Sequence, residues 1–324
     1  MKPLNFGILG AAKFALEHMG PAIHAAKGAR LTALATSSEE KFAAFQSFAP
    51  DLRRHDSYEA LLADPEIEIV YIPLPNALHI EWASKALEAG KHVLCEKPLA
   101  LNAADIDPLI ALRDKTGLFA AEAYMIVHHP QWKQVRKWLD AGAIGTLRHA
   151  DVAFSFNNPD PENIRNRPET GGGSIPDIGV YAYSSVRYAA RAEPTKLHSI
   201  IHRENGVDVF AQVIGEMQGP KGSFTYGAMT STRIAPRQQV VFQGDAGLIR
   251  VVTPFNAGVF REAEIQLERM GEPTQTIRYP MANQYVLQVE NVVRTIREGA
   301  PYPWTLEDAR AGQAMIDQVF ASEI

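Results

Sequence analysis

Short, almost wholly apolar runs alternate with amphipathic stretches through the first 120 residues. Runs at 4–9, 31–35, 67–73, 92–95 and 118–122 have the length and β-branched content of buried strands. Helical spacing is expected between them, at 18–26, 39–48, 58–62, 80–89 and 103–115. A strand, one helix and then another strand, repeated, is how a parallel sheet with crossover helices reads. After residue 123 the texture changes to longer alternating segments at 147–157, 196–203, 207–217, 222–232, 238–243, 247–252 and 259–268. These predict a mostly antiparallel sheet with one covered face. Two more helices are expected at 283–297, striped by Val286, Val289, Val293 and Ile296, and at 305–321, striped by Ala309, Gly312, Ile316 and Val319.

The expected class is therefore α/β, a doubly wound parallel sheet of Rossmann type followed by an α/β domain with a large, mostly antiparallel open sheet. The change of texture divides the chain into 1–122 and 123–324. The length of 324 residues suits two domains.

Charge narrows the partners. Thirty-two Lys and Arg face 37 Asp and Glu, a net charge of −5, so the one-sided basic surplus that a phosphate backbone requires is missing. Nucleic acid is not expected. Cys95 is the single cysteine and sits in an apolar run, which excludes an intrachain disulfide and fits a reducing cytoplasm. No uncharged apolar run approaches membrane-spanning length, and no secretory leader pattern opens the chain.

At 4–15 the chain reads LNFGILGAAKFA, an apolar strand entering a small-residue turn and then a helix. Laid on G-x-G-x-x-G/A, the pattern falls on Gly10, Ala12 and Ala15, with Ala11, Lys13 and Phe14 filling the turn. Small residues there let a pyrophosphate approach a helix N-terminus. The same segment would also serve as an unliganded strand–helix turn. After the second strand, ALATSSEEK offers Thr36, Ser37, Ser38 and Lys41 where an NAD site usually has an acid, which favours NADP and leaves NAD possible. No arginine follows that strand directly, and Glu39 and Glu40 fit a helix's first turn.

Two further stretches, IEIVYIPLPNALH at 67–79 and AGKHVLCEKPLAL at 89–101, combine with GILGAAKFA and with GGGSIPDIGVYA at 171–182. Together they resemble the Gfo/Idh/MocA oxidoreductases, over essentially the whole chain. HHPQW at 128–132, ENIRNRPE at 162–169 and the tyrosine of DIGVY are most similar to the branch of D-xylose 1-dehydrogenases and dimeric dihydrodiol dehydrogenases. The resemblance implies a loop of Pro73, Leu74, Asn76 and His79 beside the nicotinamide half of the cofactor, together with Glu96 and Lys97. It also implies a homodimer or homotetramer formed through the outer face of the C-terminal sheet.

Removing hydride from an alcohol carbon requires a group to take the hydroxyl proton. Tyr181 is the candidate, as the matching position serves in the resembling branch. Lowering a phenol by two units requires about 2.7 kcal/mol. An ammonium about 4 Å away provides roughly 4 kcal/mol at an effective dielectric of 20. Lys97, just beyond a strand's carboxyl end, is the expected source; without the family pattern, Glu96 and Lys97 would read as a solvated pair. Asp177, four residues before Tyr181, shares its face if the stretch is helical. It would orient Lys97 or accept a substrate hydroxyl, or else simply cap the helix. Tyr124, Trp132, Asn163, Arg165 and Arg167 are candidate sugar-facing groups, or ordinary surface in exposed loops. His128 and His129 are adjacent and diverge, with no ligand partner at metal spacing, so no metal is assigned.

The expected activity is NADP-dependent hydride transfer at a sugar hydroxyl, such as oxidation of an aldose at C1 to its lactone with D-xylose as leading substrate, or a related sugar carbonyl reaction. A trans-1,2-dihydrodiol dehydrogenase is the enzymatic alternative. A nucleotide-binding regulator without catalysis is the alternative of another class, and it predicts loss of Lys97, Asp177 and Tyr181. A glycosidase using transient oxidation would show no net NADP reduction.

Overall fold

The computed structural model describes residues 2–324. Contacts divide the chain into two compact units, residues up to His128 together with Gln284–Arg310, and His129–Asn283 together with Ala311–Ile324.

The first unit is built on six parallel strands: β1 (Leu4–Leu9), β2 (Ala29–Ala35), β3 (Arg53–His55), β4 (Ile69–Ile72), β5 (His92–Cys95) and β6 (Ala120–Glu122), in spatial order 3-2-1-4-5-6. That order is the doubly wound Rossmann arrangement, whose topological switch lies between β1 and β4. Helices α1 (Gly20–Ala25), α2 (Glu39–Gln46), α3 (Tyr58–Leu62), α4 (His79–Glu88) and α5 (Ile106–Thr116) make the crossovers. Leu4, Phe6, Ile8 and Leu9 of β1 and all of β4 are fully buried, as both-sided helix cover demands. β3 lies outside the sequence expectation: its three residues, Arg-Arg-His, carry no apolar signal because it is a sheet edge. The first helix starts earlier than expected and opens as a π-helical segment, Ala15–Met19. Gly20 N–H returns to Ala15 O, five residues back, and Pro21 follows without an N–H to give.

The late segment Gln284–Arg310 packs within this unit, although sequence texture groups it with the second half. Asn291 Nδ2 meets His128 Nδ1 at 2.5 Å, Arg297 pairs with Glu68 at 2.7 Å, and the Trp304 ring lies 4.5 Å from that of Tyr124.

The second unit is an eight-stranded sheet of β7 (Leu147–Asn157), β8 (Glu193–Glu204), β9 (Val207–Gly219), β10 (Gly222–Ser231), β11 (Arg233–Gly244), β12 (Gly247–Val251), β13 (Glu264–Arg269) and β14 (Gln275–Arg278), in order 14-13-12-11-7-10-9-8. Every neighbour pair is antiparallel except β7 with β10. Helices α6 (Pro130–Asp140) and α7 (Val180–Ala190) belong here. α6 is absent from the sequence expectation, although Trp132, Val135, Trp138 and Leu139 form its buried stripe and His129 caps it through Gln131 N–H. Along β9, Val207, Val209, Ala211 and Val213 are buried, whereas Ile214 on the other face is 56% exposed and Ile200 on β8 is 47% exposed. Among the described residues no helix is long and apolar enough to cross a membrane.

Candidate functional site

Because the strands of the first sheet run parallel, the residues that follow them emerge along one edge. Gly10 follows β1, Thr36, Ser37 and Ser38 follow β2, Pro73, Leu74 and Asn76 follow β4, and Glu96 and Lys97 follow β5. The fold thus gathers four sequence-separated groups where open α/β sheets bind ligands. Gly10 has φ +99°, and a Cβ there would lie 3.0 Å from Leu74 Cδ2 and 3.2 Å from the Tyr58 hydroxyl, so only glycine makes this turn. Gly10 N–H donates to Ala35 O at 3.0 Å, locking the ends of β1 and β2 together. Ala11 and Ala12 are small and half-buried, Lys13 is exposed and pairs with Glu17 at 3.7 Å, and Phe14 packs on His18 and Tyr285. A dinucleotide's pyrophosphate fits such a turn. Ser38 caps α2 by accepting the Lys41 N–H at 3.2 Å, and Thr36 Oγ1 accepts from Ser38 N–H at 3.2 Å.

The Lys97 segment is held from three sides. Lys97–Pro98 is a cis peptide. The Tyr71 hydroxyl donates to Glu96 Oε1 at 2.6 Å. His79 is fully buried, with Nδ1 2.7 Å from Pro98 O and Nε2 2.7 Å from Leu74 O, so one imidazole braces the loops after β4 and β5. Burial lowers the His79 pKa, against the pull of those two carbonyls. Glu122, buried at the end of β6, accepts Leu99 N–H at 2.9 Å through Oε1 and Trp304 Nε1–H at 2.8 Å through Oε2. Burial pushes Glu96 up to about 7, although the Tyr71 hydroxyl and the Lys97 charge pull the other way. Neither Tyr71 nor Glu122 is singled out by the sequence; a charged residue closing a buried three-residue strand was the available signal.

In the second unit, Ser174 leads into a π-helical turn, Ile175–Gly179, that runs directly into α7 and carries Asp177 two residues after Ile175. Asp208 of β9 organises the entry: its Oδ2 accepts Ser174 Oγ–H at 2.6 Å and Ile175 N–H at 2.7 Å. Gly173 has φ +126° and stands so close to Asp208 that a side chain would collide with the carboxylate. Asp177 lies inside the turn rather than at its cap, which corrects the capping alternative. Its Oδ2 takes Arg165 Nε–H at 2.6 Å. The Asp177 charge raises the Arg165 pKa further, outweighing burial, and Tyr181 adds to the effect. Arg165 is fixed in turn: Asn163 Oδ1 accepts its N–H at 3.1 Å, and Gly173 N–H donates to its carbonyl at 2.9 Å. Tyr181, 5% exposed, packs against the rings of Phe154 and Phe255 at 5.8 and 5.5 Å.

Arg233 is a further residue that sequence inspection misses. It ties the 158–166 loop through Asn158 O at 2.9 Å and Asn166 Oδ1 at 3.0 Å. Other expectations need correction. Tyr124 and Trp132 are not exposed loop groups: both are fully buried, and the Trp132 indole N–H is committed to Pro254 O at 2.8 Å. Arg167 is exposed and pairs with Glu169 at 2.7 Å. Among the described residues no group of three His, Cys, Asp or Glu side chains is arranged to hold a metal.

Residues 4–124 match the model of an oxidoreductase family with an NAD-binding Rossmann fold, and residues 132–250 match the GFO/IDH/MocA C-terminal domain. The chain is 34% identical to a dTDP-3,4-didehydro-2,6-dideoxy-α-D-glucose 3-reductase from Saccharopolyspora spinosa, over 98% of this chain and 95% of that one. It is 29% identical to an NADP-dependent D-xylose 1-dehydrogenase from Haloferax volcanii, over 98% and 97% of the two chains. Among solved structures, a 3-ketoreductase from Actinomadura kijaniata in complex with NADP and TDP-benzene superposes with a TM-score of 0.89, at 28% identity, covering 99% of this chain and 98% of that one. With this sheet order, this pair of strand-end loops and these full-length likenesses, the chain belongs to the Gfo/Idh/MocA oxidoreductase family.

Proposed function

We propose that this oxidoreductase transfers hydride between NADP and a sugar. The observation that carries the proposal is the convergence of Gly10, Thr36–Ser38, Pro73–Asn76 and Glu96–Lys97 on the carboxyl edge of one 3-2-1-4-5-6 sheet. Gly10 to Phe14 would hold the pyrophosphate, Thr36, Ser37, Ser38 and Lys41 the adenosine end, and Pro73, Leu74, Asn76, Glu96 and Lys97 the nicotinamide end, with the buried His79 bracing their loops from behind rather than touching the cofactor. Bound NADP supplies the hydride acceptor or donor. Tyr181 takes the hydroxyl proton or returns it, and Lys97 supplies positive charge for the oxygen that becomes negative. Asp177, positioned by Arg165, accepts a sugar hydroxyl. Residues 1–122 carry nucleotide binding, aided by the packed segment Gln284–Arg310, and 123–324 carry substrate binding and self-association through the open sheet.

The substrate follows as an aldose oxidised at C1, D-xylose first. The 34% identity with a dTDP-deoxysugar 3-reductase favours a second reading, reduction of a ketone on a nucleotide-linked deoxysugar. Absorbance at 340 nm separates them: NADPH forms with D-xylose in the first case and is consumed by a dTDP-ketosugar in the second. A trans-dihydrodiol belongs in the same panel. Tyr181→Phe and Lys97→Met should each lose at least about a hundredfold in kcat, within the usual range for removed acid–base groups. Full rates in both variants would remove the assigned roles.

A further inference from the structure

We propose that Arg54 selects the 2′-phosphate of NADP over the bare ribose of NAD, and that Glu39 holds Arg54 until the nucleotide arrives. The assignment rests on the first sheet being the dinucleotide site. Sequence offers hydroxyls after β2 and no arginine, yet the fold supplies one from the neighbouring strand. β2 and β3 pair in parallel, with Leu34 opposite Arg54 and Ala35 opposite His55, and Thr36 N–H donates to His55 O at 2.9 Å. Arg54 is therefore anchored one strand spacing, about 4.8 Å, from the end of β2. Its guanidinium pairs with Glu39, which directly follows Ser38, and with Asp56 at 2.9 Å. Arg53 is directed elsewhere, to Asp64 and Glu66, as the alternation of a strand requires.

The local chemistry suits an anion with several oxygens. Thr36 Oγ1 and Ser38 Oγ each accept a backbone N–H, which leaves their own O–H groups to donate. Arg54 adds the planar fork that matches phosphate. The carboxylates holding it are exchangeable, since the Glu39 and Asp56 side chains are 77% and 81% exposed and surface ion pairs of this kind are weak. A phosphate monoester carries about −1.5 to −2 charges and competes with each of these singly charged, solvated carboxylates for the guanidinium. Without Arg54, Glu39 stands uncompensated and repels the phosphate. One side chain thus sets both the attraction and the penalty.

Direct titration of the substrate-free protein with NADP and with NAD, followed by calorimetry, tests this independently of any sugar. Arg54→Gln should raise the Kd for NADP roughly ten- to a hundredfold, the range for one charged hydrogen-bonding partner, and leave that for NAD within about twofold. Glu39→Gln should tighten NADP by about twofold or more and change NAD little, because it frees the arm of the fork that Asp56 does not hold and removes a repelling charge. Equal changes for both nucleotides in Arg54→Gln, no change for either, or weaker NADP binding by Glu39→Gln overturns the assignment. Wild type that binds the two nucleotides equally well overturns it while leaving the dinucleotide site intact, whereas wild type that binds neither sinks both.

Discussion

Asp208 offers the sharpest test of how the second unit builds its site. The residue is 4% exposed, and one carboxylate oxygen accepts both Ser174 Oγ–H and Ile175 N–H, at 2.6 and 2.7 Å. Those bonds fix the entry to the turn that presents Asp177 and, one turn later, Tyr181. A hydrogen bond to a charged group contributes about 1.5–3 kcal/mol. Asp208→Ala removes two of them and strands a buried N–H, a gross loss of about 3–6 kcal/mol. Burial raises the Asp208 pKa, so part of that loss is returned when the carboxyl group disappears. The net expectation is about 3 kcal/mol. Asp208→Asn keeps an oxygen acceptor in place and trades charged bonds for neutral ones, at about 1–2 kcal/mol. Urea unfolding of wild type and both variants should therefore rank Ala well below Asn. Kinetics should follow the same order, with kcat falling in Asp208→Ala, while the Kd for NADP, a property of the first sheet, stays put. If Ala proves no less stable than Asn, or if the two variants turn over at equal rates, Asp208 does not organise this turn.

Glu96 gives a pH signature. Its folded pKa of about 7 lies above the ordinary 4.5, so its favourable contribution is complete below pH 4.5 and is lost as pH rises through 7. At 1.36 kcal/mol per unit this amounts to about 3 kcal/mol, and the stability of Glu96→Gln relative to wild type should rise by that amount between those limits; a pH-independent difference refutes it. Trp132→Phe should cost about 1–2 kcal/mol, from the lost bond to Pro254 and a smaller ring in a sealed site, with no change in KM for the sugar. A raised KM with unchanged stability would return Trp132 to the substrate-facing groups.

Much of this architecture is legible along the chain, because periodicity reports which faces are buried. The apolar runs of β1, β4 and β5 and the alternation of β7, β9 and β10 mark their strands, and EKP and DIGVY mark the segments that hold Lys97 and Tyr181. What the sequence conceals is whatever depends on neighbours far along the chain. β3 has no hydrophobic pattern because an edge strand of three residues needs none, so Arg54 beside the end of β2 is invisible until the strands pair. Asp177 is legible as a carboxylate but not as the partner of Arg165, and Trp132 reads as an exposed aromatic until the fold seals it. Glu122 and Asp208 look like ordinary polar residues and His79 like a cofactor-side group, and only tertiary packing turns them into buried acceptors and braces for the loops around them. Burial patterning is a local property repeated every two or nearly four residues, whereas the partner of a buried polar group is set by which strands lie side by side.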